Sequence, residues 1–80
     1  MYYLYVLKSE KFDRHYIGIT NNIEKRLIKH NTNSVRSTKS YRPWLLVYKE
    51  VFTDKTSARK REVFLKKTAA AREDVFSKFK

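Results

Sequence analysis

The sequence predicts an α/β chain of the α+β type: a small three-stranded antiparallel sheet flanked by helices, in the order ββαβαα. Three observations lead there. Strand-forming residues gather in three short stretches, at 2–7, 15–19 and 44–52. Helical spacing of apolar residues appears after the second stretch and again after the third. Finally, 80 residues can enclose only one core, so residues 1–80 are expected to form a single domain.

Tyr2 to Leu7 begins the chain as a strand with Tyr3, Tyr5 and Leu7 on one side and Tyr2, Leu4 and Val6 on the other, so both faces should be covered. Lys8 to Arg14 is polar apart from Phe12, and the apolar pattern resumes at His15, which makes a β-hairpin the simplest connection. Asn21 offers a helix N-cap, with Glu24 three residues later, and Ile23, Leu27 and Ile28 supply an apolar stripe for a helix ending near Asn31. Thr32 to Arg42 lacks periodicity and predicts an exposed loop with room for a short helical turn. Pro43 bars a helix there and introduces the third strand, Trp44 to Phe52, in which Trp44 and Tyr48 are expected to pack in the core. Asp54 can cap the next helix, which places Ala58, Glu62 and Leu65 on one face. After a bend, Thr68 to Phe79 continues as helix, using Val75, Phe76 and Phe79.

Composition limits the function. There is no cysteine, so neither disulfides nor thiolate metal sites can support the fold. No apolar run approaches the length of a membrane span, and Met1 leads straight into Tyr2 without the pattern of a signal peptide, so a cytoplasmic protein is expected. The formal net charge of +11 points to a polyanionic partner, nucleic acid above all. The bases cluster: Lys25, Arg26, Lys29, Arg36, Lys39 and Arg42 follow one another with no acid between them, and from Lys55 to Lys67 six bases surround the lone Glu62. Such clusters suit phosphate contact, with Arg59 and Lys66 contributing beside the loop and helix bases.

Gly18 is the only glycine, and it stands inside a predicted strand two residues after Tyr16. A glycine there signals either a close approach to the backbone or a bend, and the sequence alone weighs these equally. Together, Tyr3-Leu4-Tyr5-Val6-Leu7 and Tyr16-Ile17-Gly18 resemble the two half-motifs of the GIY-YIG nuclease superfamily, the second identically. In the first, Tyr3 and Leu4 replace glycine and isoleucine, and Tyr5 keeps the tyrosine. The following helix resembles the family's in carrying Arg26 and, four residues on, His30; the stretch Ala58 to Lys66 resembles its metal-binding helix, with Glu62 in the carboxylate's place. Without the family, Glu62 would be read first as an intrahelical ion pair with Arg59 or Lys66.

The resemblance implies an endonuclease that hydrolyses phosphodiester bonds with water as the nucleophile, in DNA ahead of RNA and in the setting of DNA repair of branched or damaged duplex. Tyr16 would take the proton from water and Tyr5 would orient the water or Tyr16. Because tyrosine has an ordinary pKa of about 10, it needs positive charge nearby to act as a base, and Arg26, His30 and a cation are expected to supply it. Arg26 would also grip the scissile phosphate through its planar fork. Glu62 would anchor one hydrated Mg²⁺ or Mn²⁺. His15 is expected to be packed or solvated, and for Thr38, Lys39 and Arg42 phosphate contact and a merely solvated loop are equally open readings. Family members often draw specificity from another domain, so a protein partner could supply it here. The alternative reading is a nucleic-acid-binding module that keeps the fold with little or no catalysis.

Overall fold

The computed structural model describes residues 1–32, 35–36 and 38–79. Three strands, β1 (Tyr2–Ser9), β2 (His15–Thr20) and β3 (Trp44–Phe52), form one antiparallel sheet in the order β2-β1-β3. The helices are α1 (Ile23–Asn31), α2 (Lys55–Lys67) and α3 (Ala69–Phe76), with short 3-10 turns at Lys39–Tyr41 and Ser77–Phe79. The order is ββαβαα, as the sequence predicts. Of the predicted loop 32–42, residues 33, 34 and 37 lie outside the described residues, and the short helical turn is the one at Lys39–Tyr41.

β1 is the central strand, which explains why it carries bulky residues on both sides. Leu4 and Val6 pack with Ile17, Leu65 of α2 and Val75 of α3, while Tyr5 and Leu7 pack with Trp44 and with Ile23 and Leu27 of α1. Two thin cores therefore share one strand, and each fully buried Leu or Val contributes about 1.5–3 kcal/mol. Tyr48 joins the first of these cores and Trp44 the second, as expected.

Local chemistry sets the element ends. Thr20 Oγ1 accepts from the Asn22 N–H, and the Asn22 side chain accepts from the Lys25 N–H, so the N-cap of α1 is Asn22 and not Asn21. The adjacent asparagines offer the same side chain, and Thr20 decides between them. Ile28 is exposed, contrary to the expected stripe, because inward positions recur at Ile23, Leu27 and His30, and Ile28 is turned about 100° from Leu27. The Asp54 side chain accepts from the Ser57 N–H and caps α2, whose Ala58, Glu62 and Leu65 share one face as predicted, and that face is buried. At the other end, Arg72 donates from Nη1 to the Leu65 and Lys66 carbonyls, closing α2 at the bend into α3.

The edge strand β3 is tied to α1 by a side chain. Asn31, the last residue of α1, accepts from the Trp44 N–H through Oδ1 at 2.6 Å and donates through Nδ2 to the Trp44 carbonyl at 3.1 Å. This pair fixes where β3 starts relative to the helix that bears Arg26 and His30.

Candidate active site

Register explains the lone glycine. Tyr5 of β1 lies opposite Gly18 of β2, in a ladder that runs without a bulge from Tyr3–Thr20 to Lys8–His15. The Tyr5 ring crosses the glycine: a β-carbon on residue 18 would sit 2.7 Å from the Tyr5 hydroxyl oxygen and 3.0 Å from Cε2 of Tyr16. Gly18 therefore marks a close approach of side chains and not a bend, which resolves the two readings left open by the sequence.

The Tyr5 hydroxyl, on a residue only 1% exposed, is the meeting point of the site. It lies 3.0 Å from Nε2 of His30 and accepts from Nε of Arg26 at 3.4 Å. The spacing of Arg26 and His30, one helical turn apart on α1, turns both toward the same oxygen. The Tyr16 ring lies 4.6 Å from the His30 ring and 6.1 Å from that of Tyr5. Tyr5, Tyr16, Gly18, Arg26 and His30 thus form one cluster, built by β1, β2 and α1.

Burial dominates the electrostatics here. It pushes the Tyr5 phenol above its ordinary value despite the hydrogen bond and charge of Arg26, so Tyr5 keeps its proton at neutral pH. Burial and the adjacent Arg26 lower His30 to about 4, so the imidazole is neutral. This corrects the expectation that His30 supplies positive charge to the tyrosines: a histidine with no exposed surface, beside a guanidinium, cannot afford a second cation. The Arg26 guanidinium is held still more firmly in its charged form by its bond to Tyr5.

Glu62 is 6% exposed and both of its carboxylate oxygens are engaged, one by Arg59 at 3.3 Å and the other by Lys66 at 3.0 Å. The ion pairs that the sequence offers for this residue both form. The carboxylate also belongs to the cluster electrostatically, since its charge acts to raise the Tyr5 pKa, and Lys66 Nζ lies 6.0 Å from the Tyr16 ring centre. No group of three His, Cys, Asp or Glu able to hold a metal occurs among the described residues. The donor set fits a hard, largely hydrated cation on the single carboxylate, provided Arg59 or Lys66 yields an oxygen.

A groove of ≈ 520 Å³ opens against Tyr16, lined by Arg14, His15, Lys66, Arg72 and Phe76 among others. His15 stacks on Phe76 at 4.4 Å, a packed histidine as anticipated. Among the other predicted phosphate contacts, Lys25, Lys29, Arg36, Lys39, Arg59 and Lys66 are exposed, and Arg42 is half-buried. None of them hydrogen-bonds to the Tyr5 hydroxyl. Thr38 departs from expectation: it is 2% exposed and lies 2.9 Å from Nδ1 of His30, turned into the site and not toward solvent. The sequence hid this because no periodicity relates the loop to the helix eight residues before it.

Residues 1–74 match the family model described as the GIY-YIG catalytic domain. The chain belongs to the GIY-YIG family. Among relatives, a UPF0213 protein of Staphylococcus saprophyticus is 44% identical over 61 residues, covering 75% of this chain and 73% of that one. One of Staphylococcus haemolyticus is 39% identical over 61 residues, with the same shares. A solution NMR structure of a UPF0213 protein from Bacillus halodurans is similar with a TM-score of 0.58 and 26% identity, covering 95% of this chain and 82% of that one. The family is one of nucleases, and the cluster around Tyr5 lies within its matched residues. No helix among the described residues is long and apolar enough to cross a membrane.

Proposed function

We propose that this GIY-YIG domain is an endonuclease that hydrolyses phosphodiester bonds in DNA, with water as the nucleophile and one Mg²⁺ or Mn²⁺ held by Glu62. The observation that carries the reading is the convergence of Arg26 and His30 on the Tyr5 hydroxyl, which crosses Gly18 with the Tyr16 ring packed against the same glycine and against His30.

The residues divide the work. Arg26 spends its Nε–H on Tyr5, which orients the guanidinium, and its planar fork suits it to grip the phosphate oxygens. Tyr16, half-buried at the mouth of the groove, accepts the proton of the attacking water. Tyr5 retains its own proton, and its role is to hold Arg26 and His30 in place. When bound, the cation would neutralise charge on the phosphate and favour ionisation of water and tyrosine. Lys25, Lys29, Arg36, Lys39, Arg42, Arg59 and Lys66 supply phosphate contacts along the strand, a cytoplasmic setting suits the chain, and a protein partner would add specificity.

The engagement of both Glu62 oxygens supports a second reading, a nucleic-acid-binding module of low catalytic power, since a cation must compete with Arg59 and Lys66. Strand cleavage of supercoiled, linear and branched DNA and matched RNA, by wild type and Glu62→Ala, in Mg²⁺ or Mn²⁺ against chelator, separates the two. The nuclease cuts DNA only with metal, and the variant binds without cutting. Salt-sensitive binding with no cleavage on every substrate would establish the module instead.

A further inference from the structure

We propose that Thr38 is a positioning residue of this site: its hydroxyl holds His30 in the tautomer that carries the proton on Nδ1, so that Nε2 faces Tyr5 as an acceptor. The tautomer stands on the hydrogen-bond geometry around a neutral imidazole, and its consequence for cleavage rests on the nuclease reading above.

Counting protons leads to this assignment. Arg26 can only donate, so its Nε–H makes the Tyr5 oxygen an acceptor at 3.4 Å. The phenol's own proton then goes to its other partner, Nε2 of His30, at 3.0 Å. A neutral imidazole with a bare Nε2 carries its proton on Nδ1, where Thr38 Oγ1 accepts at 2.9 Å. Thr38 in turn donates its hydroxyl proton to the Val35 carbonyl at 3.3 Å. Every proton in the chain has one acceptor. The opposite tautomer would give the Tyr5 oxygen two donors and leave the phenol proton without an acceptor among the described residues, on a side chain with almost no access to water.

Thr38 is itself held firmly enough to hold another residue. Its N–H donates to the Val35 carbonyl at 3.2 Å, and its carbonyl accepts from the indole N–H of Trp44 at 2.8 Å. Trp44 is buried, and its backbone is gripped by Asn31, the neighbour of His30. The orientation therefore passes from the loop before β3, through Thr38, His30 and Tyr5, to the guanidinium of Arg26. Burial and Arg26 keep the imidazole neutral, with its pKa near 4, so it can serve as an acceptor at neutral pH.

The test reads the ring nitrogens of ¹⁵N-labelled full chain by long-range ¹H–¹⁵N correlation at pH 7, for wild type, Thr38→Val and Thr38→Ser. Wild type and Thr38→Ser should show His30 protonated on Nδ1 alone, and Thr38→Val, which keeps the shape but loses the hydroxyl, should show a mixture of both tautomers, since each then leaves one buried proton without an acceptor. On a cleavable substrate, Thr38→Val should lower kcat by about tenfold or more with KM little changed, and Thr38→Ser should restore most of it. Wild-type His30 protonated on Nε2 overturns the proposal, as does a wild-type tautomer in Thr38→Val. If Thr38→Val does not fold, the wild-type and Thr38→Ser spectra still decide the tautomer. Loss of the tautomer with unchanged cleavage removes Thr38 from the reaction. The expected tautomers in a wild type that never cleaves would uphold the positioning and sink only the nuclease reading.

Discussion

The Tyr5 hydroxyl stands 2.7 Å from the place a β-carbon on residue 18 would occupy, so the two residues share one volume. The glycine is there for space, since its φ is not positive. Tyr5 cannot swing aside freely, because its oxygen is held by Arg26 and His30. Gly18→Ala should therefore behave as an overpacked core, destabilised by about 1–3 kcal/mol, with the Tyr5–His30 hydrogen bond lengthened or lost. Urea denaturation measures the first and ring NMR of His30 the second. An alanine variant of unchanged stability would show that the contact relaxes at no cost.

Buried neutral His30 should make stability fall in mild acid. Its pKa is about 4 in the folded chain against 6.5 ordinarily, with Tyr5, Tyr16 and Arg26 around it. Above pH 6.5 both folded and unfolded forms are neutral and the stabilisation is fully present. As pH falls from 6.5 toward 4 only the unfolded chain gains the proton, so stability drops by about 1.4 kcal/mol per unit, about 3 kcal/mol in all. Urea midpoints at pH 7 and pH 5 should differ in wild type and differ much less in His30→Gln. Equal slopes in the two proteins would refute the assignment.

Glu50 and Arg61 form a two-pronged ion pair, with Arg61 Nε and Nη2 at 2.9 and 3.0 Å from the two carboxylate oxygens, and Tyr48 donates to the same carboxylate at 2.6 Å. Burial pushes the Glu50 carboxyl up, but these donors outweigh it and hold it below its ordinary range. Lysine cannot reproduce the fork, and the pair is partly solvated, so Arg61→Lys should cost about 1 kcal/mol. The loss should fade as pH falls through the Glu50 titration. Identical melting curves for the two proteins at pH 7 would show that one point charge suffices.

If Glu62 is the cation's ligand, then its ion pairs compete with it. Removing one base should strengthen binding of Mn²⁺ in the absence of nucleic acid, so Lys66→Ala and Arg59→Ala should each relax solvent protons at lower metal concentration than wild type. Glu62→Gln should abolish the effect. The same titration curve in all four proteins would place the ion elsewhere.

Sequence patterns revealed the elements because each strand and helix repeats its chemistry at a fixed period. Tyr2 to Leu7 declares a strand covered on both sides, and Ala58, Glu62 and Leu65 declare the buried face of α2. The resemblance to the family then gathered Tyr5, Tyr16, Gly18, Arg26 and His30, which the fold does bring together. What escaped depended on contacts outside any period. Asn22 rather than Asn21 caps α1 because of the Thr20 hydroxyl. Thr38 reaches His30 only through the path of a loop. The charge state of His30 depends on how dry its surroundings are, which its spacing from Arg26 does not reveal.

The amide of Asn31 makes α1 and the start of β3 a single cooperative unit. Because it satisfies both backbone groups of Trp44, the helix cannot lift from the sheet without unpairing the strand's first residue, and the indole that holds Thr38 goes with it. The helix that carries Arg26 and His30 is thus tied to the residue whose indole anchors Thr38. Opening of this unit would erase the whole hydrogen-bonded chain at once, so deuterium uptake at the Trp44 amide doubles as a reporter of whether the Tyr5 centre is assembled.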